Sequence, residues 1–339
     1  MADAFLQLSA EDRREALEFA ASRSGRPAHL LEKDVWVVWS LGALFASPLG
    51  DQLVFKGGTS LSKAYRAIRR FSEDVDLTYD IRAIAPDLVA DAEDALPTTR
   101  SAEKRWTSEI RKRLPQWVTE QALPVVTTRL RETGVPAEAV AVGEKIFVAY
   151  DATAAGTGYV RPAVMLEFGA RSTGEPCAPF DIDCDAAEMV EGLVFPQATA
   201  RVMRAERTFW EKATAAHVYC RQGKLRGRRF ARHWYDLARL DDAGIAAAAI
   251  ADLPIAQAVA AHKAMFFVER DNAGATIDYK AAVQGHLVLA PQDGAREALA
   301  EDYRGMIEDG LLLDEGEPFD TLMDRCADLA ARANAAAAA

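Results

Sequence analysis

The sequence predicts an α+β protein, in which a mixed sheet with flanking helices is followed by a C-terminal helical domain. Runs typical of strands occur in the first part of the chain, whereas helical spacing and alanine dominate from about residue 200. The length of 339 residues also suits about two domains. We therefore predict a first domain over residues 1–195 and a helical domain over residues 196–339, with Pro179 and Pro196 breaking the pattern near the boundary.

The elements of the first domain follow from local patterns. Ser9 can cap the first helix, and apolar residues at helical intervals give the second helix a buried stripe. QLVF is a short apolar run, VDLTY alternates apolar and polar residues, and KIFVAY and AVMLEF have the composition of strands. Glycines between the last two runs indicate a hairpin connection. The predicted elements are helices over 10–21, 29–46, 60–70 and 101–121, strands over 52–55, 75–79, 145–150 and 163–168, and an excursion over 82–100.

Residues beyond about 200 are predicted to be helical throughout. The candidate helices cover residues 201–221, 230–242, 245–251, 254–270, 278–284, 295–309 and 317–333. The tail NAAAAA is of low complexity, and we expect it to be frayed.

Composition indicates a soluble globular protein. Half of the residues are hydrophobic, and no run approaches the ~20 apolar residues of a membrane helix. The N-terminus lacks a basic head followed by an apolar stretch, so we expect no secretory signal, no membrane association and a cytoplasmic location. The four cysteines form no C-x-x-C pair and match no common zinc spacing, which favours reduced thiols over a zinc site.

Charge is distributed unevenly along the chain. The net charge of −11 argues against a large surface that coats nucleic acid. However, Lys56 to Arg70 contains five basic residues and no acid, and Arg201 to Arg232 contains ten basic residues against Glu206 and Glu211. Two basic islands of this kind suit a local phosphate site. From charge alone, two solvated helix faces would account for the islands equally well.

A glycine turn lies at the start of the first island, in FKGGTSLSK (55–63). Because they lack a Cβ atom, Gly57 and Gly58 allow backbone N–H groups to approach an anion closely. Thr59 and Ser60 add hydroxyl donors at the start of a helix. The spacing of a P-loop is absent. The turn therefore predicts a phosphate cradle, with an ordinary tight turn as the alternative.

Asp74 and Asp76 lie two residues apart on a predicted strand, so both carboxylates project from one face. Adjacent carboxylates repel unless a cation lies between them, and Mg²⁺ commonly takes one or two carboxylates together with substrate phosphates. Glu167, in the apolar run MLEFG, is a candidate third ligand, with a salt bridge to a nearby arginine as the alternative. A phosphate cradle beside carboxylates indicates a site for an NTP with Mg²⁺ or Mn²⁺.

These motifs resemble those of a known family. A glycine turn, a helix and a D-x-D pair flanked by apolar residues are similar to the nucleotidyltransferase superfamily with the DNA polymerase β-like fold. The fuller string FKGGTSLSKAY…RRFSEDVDLTY resembles the AbiEii/AbiGii toxins, nucleotidyltransferases of type IV toxin–antitoxin systems. The resemblance continues in LEKDVWVVW (31–39), RPAVMLEFGARS (161–172), RTFWEKATAAH (207–217) and RFARHWYDLARL (229–240).

The resemblance implies a phosphate turn, a metal-binding pair, and a lysine and an aspartate from two later motifs. The matching residues are Gly57, Gly58 and Thr59 for the turn, Asp74 and Asp76 for the metal, Lys212 for the lysine and Asp236 for the aspartate; Lys56, Ser60, Lys63 and Lys212 are also expected to bind the nucleotide, and Glu167 stands where the superfamily has a third carboxylate. The active site is then expected in a cleft between the two domains.

From the residues alone, the two later motifs are also compatible with structural roles. Lys212, beside apolar neighbours, either snorkels to solvent or binds an anion. Asp236 can form a surface pair with Arg232. His217 and His233 could bind phosphate or act as bases, although a hydrogen-bonded structural role is the commoner one for a histidine.

The implied reaction transfers a nucleoside monophosphate from an NTP to a hydroxyl and releases pyrophosphate. Lys212 would stabilise developing phosphate charge, and Asp236 would orient Lys212 or help to activate the acceptor. The resemblance also implies a toxin that blocks translation, a cognate antitoxin encoded nearby, and the 3′ end of tRNA as acceptor. The loop GKLRGRRFAR (223–232) fits RNA, and its candidate contacts are Arg226, Arg228, Arg229 and Arg232.

Two other functions are compatible with the same motifs. One is a nucleotidyltransferase that modifies a protein or a small molecule such as an aminoglycoside. The other is a nucleotide-binding regulatory module without catalysis, against which the presence of both Asp74 and Asp76 argues.

Overall fold

The central feature of the fold is a mixed sheet of seven strands, seen in a computed structural model that describes residues 3–72, 74–90, 92, 94–154, 161–225, 227, 229–310 and 312–338. The strands are β1 (Asp3–Ala4), β2 (Leu53–Lys56), β3 (Asp74–Tyr79), β4 (Ala137–Val142), β5 (Lys145–Tyr150), β6 (Ala163–Gly169), β7 (Cys177–Asp183), β8 (Leu193–Val194) and β9 (Gln197–Met203). The large sheet has the order β4-β5-β6-β3-β2-β9-β7, and β1 pairs with β8 separately. Parallel pairing of β3 with β6 and of β2 with β9 makes the sheet mixed.

Helices flank these strands and make up most of the C-terminal part of the described chain. They are α1 (Ala10–Ser24), α2 (Ala28–Phe45), α3 (Gly57–Lys63), α4 (Ile81–Ile84), α5 (Pro86–Val89), α6 (Arg100–Trp117), α7 (Leu123–Thr133), α8 (Ala205–Gln222), α9 (Arg232–Asp242), α10 (Ile245–Ala251), α11 (Leu253–Phe266), α12 (Tyr279–Ala281), α13 (Asp293–Glu308) and α14 (Phe319–Ala337). Short 3₁₀ turns occur at Phe5–Gln7 and Gly50–Gln52, and π-helical turns at Val118–Ala122 and Ala282–His286. The predicted α+β class is confirmed.

The chain divides into two units. The first comprises Met1–Ala64, Ser72–Ala95 and Arg105–Met203, and the second comprises Tyr65–Phe71, Leu96–Lys104 and Arg204–Ala339. The first unit therefore holds both sheets, and the second holds α8 to α14.

The core of the first unit is organised around α2, which packs against α1, α7 and strands β6 and β9. The predicted buried stripe is confirmed, since Val35, Val38 and Leu41 have no exposed surface. In the second unit α8 packs against α9, α10 and α11, and Trp210 and Trp234 are almost completely buried. Burial of such large apolar side chains is the main favourable contribution to folding.

Several predicted boundaries are wrong. The helix predicted over 60–70 begins at Gly57 and ends at Lys63, and Arg66 adopts a left-handed φ of 50° beyond it. The helix predicted to begin at residue 201 begins at Ala205, because the preceding residues form β9. The tail is helical as far as Ala337 instead of frayed.

The strand β7 is absent from the predicted elements because Pro179 indicates a break in the pattern. β7 is the last strand of the sheet, and among the described residues it pairs only with β9. An edge strand tolerates proline because one row of its N–H groups needs no partner in the sheet. The predicted pairing of β5 with β6 is confirmed as antiparallel, whereas residues 155–160 of their connection lie outside the described residues.

Within the described ranges, no single helix combines the length and the apolar composition needed to cross a membrane. In the part of the chain that the structure describes, α10 and α11 pass that test as a pair, and they are bent by 83° relative to one another.

Candidate active site

The glycine turn follows β2 directly and is packed against a carboxylate. Gly57 has a φ of 79°, a region that favours glycine. A Cβ atom on Gly57 would lie 2.9 Å from Cγ of Asp76 and closer still to its Oδ2 atom. The register explains this closeness, because Lys56 of β2 lies directly opposite Asp76 of β3. Only glycine therefore allows the turn to run beside the Asp76 carboxylate.

The two hydroxyl groups of the turn form hydrogen bonds inside the chain. The Thr59 hydroxyl, in a side chain that is 2% exposed, lies 2.9 Å from Oγ of Ser72 and also bonds to the carbonyl of Asp74. The Ser60 hydroxyl donates to the carbonyl of Gly57 at 2.9 Å. The bonds of Thr59 connect α3 to the beginning of β3, whereas the bond of Ser60 lies within α3. Both hydroxyls thus have partners inside the chain, and their contact with a phosphate stays a prediction.

Asp74 and Asp76 lie on the same face of β3, as the strand alternation predicts. Both are half-buried, whereas Val75 and Leu77 between and beyond them are fully buried. The carboxylates thus occupy the open face of the sheet, and the apolar residues occupy the core face.

Glu167 lies beside Asp76, because β3 and β6 pair in parallel with these two residues opposite one another. Its carboxylate is 2.8 Å from the ammonium group of Lys145, which lies opposite it on β5. The hydrogen bond to Glu167 is the main reason why the pKa of Lys145 is raised, and the charges of Glu167 and Asp74 contribute further. Glu167 therefore forms a salt bridge, as the alternative interpretation predicts, but its partner is Lys145 and not an arginine.

Lys63 lies in a network of buried charges in the first unit. Its ammonium group is 2.6 Å from Oδ1 of Asp34 and 2.7 Å from Oδ1 of Asp185, and its side chain is 6% exposed. Arg26 pairs with the second oxygen of Asp185. Burial lowers the pKa of Lys63, but the two carboxylates outweigh this effect and hold the pKa above its usual range. The network joins α2, the end of α3 and the chain after β7.

A second cluster, in the helical unit, surrounds Asp236. Its carboxylate receives two hydrogen bonds from Arg70, at 2.7 and 2.8 Å, and lies 2.7 Å from the ammonium group of Lys212. Asp236 has no exposed surface, and Lys212 and Arg70 are each 7% exposed. The surface interpretations of Lys212 and Asp236 are therefore wrong, and Arg70, not Arg232, is the arginine bound to Asp236.

Burial and charge in this cluster together lower the pKa values of Asp236 and Lys212. Burial by itself would raise the pKa of Asp236, but Arg70 and Lys212 hold it well below its usual range. Burial lowers the pKa of Lys212, because Asp236 offsets the loss of water only in part and Arg70 adds a second positive charge. The cluster thus carries one net positive charge while all three groups are ionised.

His217 and His233, the two histidines beside these motifs, differ in their hydrogen bonding. Nδ1 of His217 accepts a hydrogen bond from the Val288 N–H at 3.1 Å, and burial lowers the pKa of His217 to about 4. His217 is therefore structural. Burial and then the charge of Lys212 lower the pKa of His233, whose Nδ1 atom has no hydrogen-bond partner among the described residues.

The second basic island is not one continuous basic surface. Five of its residues pair with acids, some of which lie far away in sequence; the pairs are Arg204–Glu206, Arg207–Glu211, Lys212–Asp236, Arg221–Asp271 and Arg229–Asp309. Arg232 is exposed, and no partner is found for it in the described part of the chain. Arg226 and Arg228 lie outside the described residues.

The comparison with protein families identifies this set of motifs. The profile of the family described as "Nucleotidyl transferase AbiEii toxin, Type IV TA system" matches residues 39–325, which is most of the chain. The chain belongs to the AbiEii family. It is thus a nucleotidyltransferase toxin of a type IV toxin–antitoxin system, which implies an NTP substrate and an antitoxin partner.

The chain is also similar to a solved structure, whereas no curated protein matches it. The solved structure of MenT4, a nucleotidyltransferase toxin from Mycobacterium tuberculosis H37Rv, is similar with 17% identity and a TM-score of 0.45, over 96% of this chain and 89% of that chain. A search of curated proteins found no match.

A divalent cation is expected in an enzyme of the AbiEii family, and the residues present fit one that arrives with its nucleotide. Asp74 and Asp76 supply oxygen ligands on an open face, and the space beside Asp76 would be filled by a Cβ on Gly57. The described residues contain no group of three or more His, Cys, Asp or Glu placed to hold a metal ion. Mg²⁺ commonly takes one or two carboxylates and completes its ligands with phosphates and water.

Three partners of the site residues are not recognisable from the AbiEii motifs. In the sequence Arg70 belongs only to a basic run, although its position just before the D-x-D strand could have marked it. No local motif marks Lys145 or Asp185. Their partners, Glu167 and Lys63, lie 22 and 122 residues away along the chain and are brought near by strand pairing and packing.

Proposed function

We propose that this AbiEii enzyme transfers a nucleoside monophosphate from an NTP to a hydroxyl group at the 3′ end of tRNA, and so blocks translation. The acceptor oxygen forms a bond to the α-phosphorus while the bond from that phosphorus to the β-phosphate oxygen breaks. Pyrophosphate leaves with the bonding electrons, and the hydroxyl proton is released. Since the transfer leaves a phosphodiester on the acceptor end, a modified tRNA could no longer be aminoacylated there.

One observation carries the proposal for the nucleotide: the backbone of the glycine turn runs beside the Asp76 carboxylate, with no side chain between them. N–H groups at Gly57 and Gly58 suit the triphosphate. Asp74 and Asp76 would hold Mg²⁺ or Mn²⁺, which when bound supplies positive charge at the phosphates and favours ionisation of the attacking hydroxyl. Thr59 and Ser60 position the turn through their internal hydrogen bonds.

The two lysines near the turn have different roles in this proposal. Lys56 lies opposite Asp76 on the same sheet face and is half-exposed, so it can interact with phosphates. Lys63 pairs with two carboxylates, Asp34 and Asp185, which leave it no excess positive charge, so we assign it the positioning of α3 instead of direct contact with the nucleotide. Lys56→Met should therefore raise KM for the NTP, whereas Lys63→Met should lower the melting temperature.

Lys212 is assigned the stabilisation of negative charge that develops on the phosphates during transfer. Its buried ion pair with Asp236 supports this role, because a lysine whose rotamer is held by a carboxylate is preorganised for a single task. Asp236 is a positioning residue for Lys212, and Arg70 keeps Asp236 ionised.

The choice of RNA as the acceptor rests on the basic residues of the second island. Five basic residues of the second island pair with acids, among them Arg229 of the loop at 223–232. Arg232 of that loop is exposed and can contact a phosphate backbone. Contacts of this kind would be salt-dependent and weakly sequence-specific.

The experiment incubates purified protein with each α-³²P-labelled NTP, Mg²⁺ and total cellular RNA, followed by separation on a gel. Asp74→Asn and Asp76→Asn should each abolish labelling of tRNA without unfolding the protein. Asp51→Asn, at an exposed position just before β2, is the matched control and should retain activity. Wild-type labelling by either aspartate variant would overturn the metal assignment.

The acceptor is tested with a triple variant, Arg226→Gln, Arg228→Gln and Arg229→Gln. It should weaken RNA binding and flatten its salt dependence while leaving NTP binding nearly intact. A control variant neutralises three other exposed arginines, Arg14, Arg23 and Arg111, and should bind RNA like the wild type. Labelling of a protein or an aminoglycoside, with no RNA labelled by any NTP, would show that the acceptor is wrong.

A further inference from the structure

Four charged residues form a row across the open face of the large sheet. Strand pairing places Lys56 of β2 opposite Asp76 of β3, Asp76 opposite Glu167 of β6, and Glu167 opposite Lys145 of β5. Opposite residues of paired strands project from the same face. We call these four residues the charged row.

The order of charges along the row is positive, negative, negative, positive. Lys145 and Glu167 are in direct contact at 2.8 Å, and both are partly exposed, at 34% and 43% of their side chains. Asp74, two residues before Asp76, occupies the next position on the same face of β3. Together with Asp74, the row holds three carboxylates and two lysines, which carry one net negative charge.

The ammonium group of Lys145 lies beside the carboxylates at which a metal would bind. It is 2.8 Å from Glu167, and Glu167 lies directly opposite Asp76 on the neighbouring strand. An ammonium group at Glu167 repels a divalent cation on the same oxygens.

We propose that Lys145 supplies the positive charge at Glu167 that a second metal ion would otherwise supply, so that Asp74 and Asp76 hold a single divalent cation. The inference rests on the metal assignment of the proposed function. Lys145 then determines how many metal ions bind, and Glu167 is not a metal ligand. With one divalent cation the three carboxylates and two lysines carry one net positive charge, whereas a second cation would add two more charges before the triphosphate binds.

The number of bound ions can be counted without turnover by electron paramagnetic resonance of Mn²⁺. The probe is Mn²⁺ with the α,β-methylene analogue of each of the four NTPs, in which the bond that transfer would break cannot be cleaved. The wild type should give the six-line spectrum of an isolated ion. Lys145→Met should give the broadened spectrum of two coupled ions, since ions that share carboxylates lie ~3.5–4 Å apart. The double variant Lys145→Met with Glu167→Gln should return to the isolated spectrum.

Two further variants complete the test. Lys145→Arg keeps the positive charge and should keep the isolated spectrum. Lys112→Met removes a lysine from a comparable surface pair with Glu109, 2.8 Å apart, and should change nothing. A coupled pair in the wild type, or an isolated ion in Lys145→Met, would overturn the inference alone. If Asp74→Asn and Asp76→Asn keep the wild-type spectrum, or the wild type binds no Mn²⁺, the metal assignment fails together with the inference.

Discussion

Gly57 and Asp76 are packed so closely that the absent side chain of the glycine defines the space beside the carboxylate. A Cβ on Gly57 would lie 2.9 Å from Cγ of Asp76, a distance that real Cβ atoms essentially never show. Gly57 follows the last residue of β2 directly, and Asp76 lies on the neighbouring antiparallel strand β3. Neither residue can shift without disturbing the pairing of Lys56 with Asp76.

Gly57→Ala is therefore expected to impair both stability and transfer. The left-handed φ of 79° costs roughly 1 kcal/mol for a residue with a Cβ, and the displaced Asp76 adds to it, so the total should be roughly 1–3 kcal/mol. The NMP-transfer rate should fall more than tenfold, because the carboxylate moves. The control is Gly134→Ala: Gly134 has a φ of 67°, but a Cβ there would meet no atom of the described chain within 4 Å beyond its own sequence neighbours. If both variants lose the same stability and neither loses activity, the closeness of Gly57 to Asp76 has no functional role.

Asp236→Asn should be one of the most destabilising single changes in the helical unit. It leaves the cations of Arg70 and Lys212 buried without a counter-charge, and the loss of one partner from a buried ion pair costs about 3–5 kcal/mol. Urea denaturation of the two proteins measures the difference. The control, Asp320→Asn, breaks an exposed pair with Arg296 and should change stability little. A small effect of Asp236→Asn would mean that water reaches the cluster.

Lys212→Ala should lower the turnover number more than it weakens NTP binding. A charge that acts on developing phosphate negativity contributes mainly in the transition state, so kcat should fall at least tenfold while KM for the NTP changes little. Asp236 remains paired with Arg70 in this variant, so the fold should persist. Loss of affinity with unchanged kcat would make Lys212 a binding residue only.

The pH dependence of transfer gives an independent check on Lys212. Because burial lowers its pKa, the ammonium group should lose its proton at a lower pH than an ordinary lysine. The rate should then decline as pH rises into the alkaline range, below the ordinary lysine pKa of about 10.4. Lys212→Arg keeps its charge at every accessible pH, so whatever activity it retains should show no such decline. The same alkaline decline in Lys212→Arg would assign it to another group.

His217 should make the protein less stable in mild acid. Its pKa is lowered by burial to about 4 in the folded state, whereas the unfolded chain has the ordinary value near 6.5. The free energy of unfolding should therefore fall as pH decreases from about 6.5 to 4, because the unfolded state takes up a proton that the folded state does not, by at most about 3 kcal/mol. His217→Asn keeps an acceptor for the Val288 N–H and removes this titration.

The measurement compares urea denaturation of wild type and His217→Asn at pH 7.5 and pH 5. The difference between the two proteins should change with pH, and the exposed His286→Asn should show no such change. A pH-independent difference would mean that His217 titrates normally in the folded protein.

Much of the fold followed from local patterns. Apolar residues at helical spacing predicted α2, and alternation of apolar with polar residues predicted β3 with both aspartates on its open face, because these periodicities are properties of a single element. The composition of β4 and β7 did not predict strands. The valines of AEAVAV face outward in β4, and CAPFDID contains a proline, which β7 tolerates as an edge strand. A strand of that kind becomes recognisable only from its neighbours.

The sequence by itself determined which residues are candidates: the glycine turn and the D-x-D pair through the chemistry of a local pattern, and Lys212 and Asp236 through their resemblance to motifs of the AbiEii family. Only the tertiary structure decided what each of them contacts. Lys63 is bound to carboxylates far along the chain, Asp236 to Arg70, and Glu167 to Lys145. The physical reason is that an ion pair depends on distance in space, which strand register and helix packing determine, whereas a motif depends on spacing along the chain.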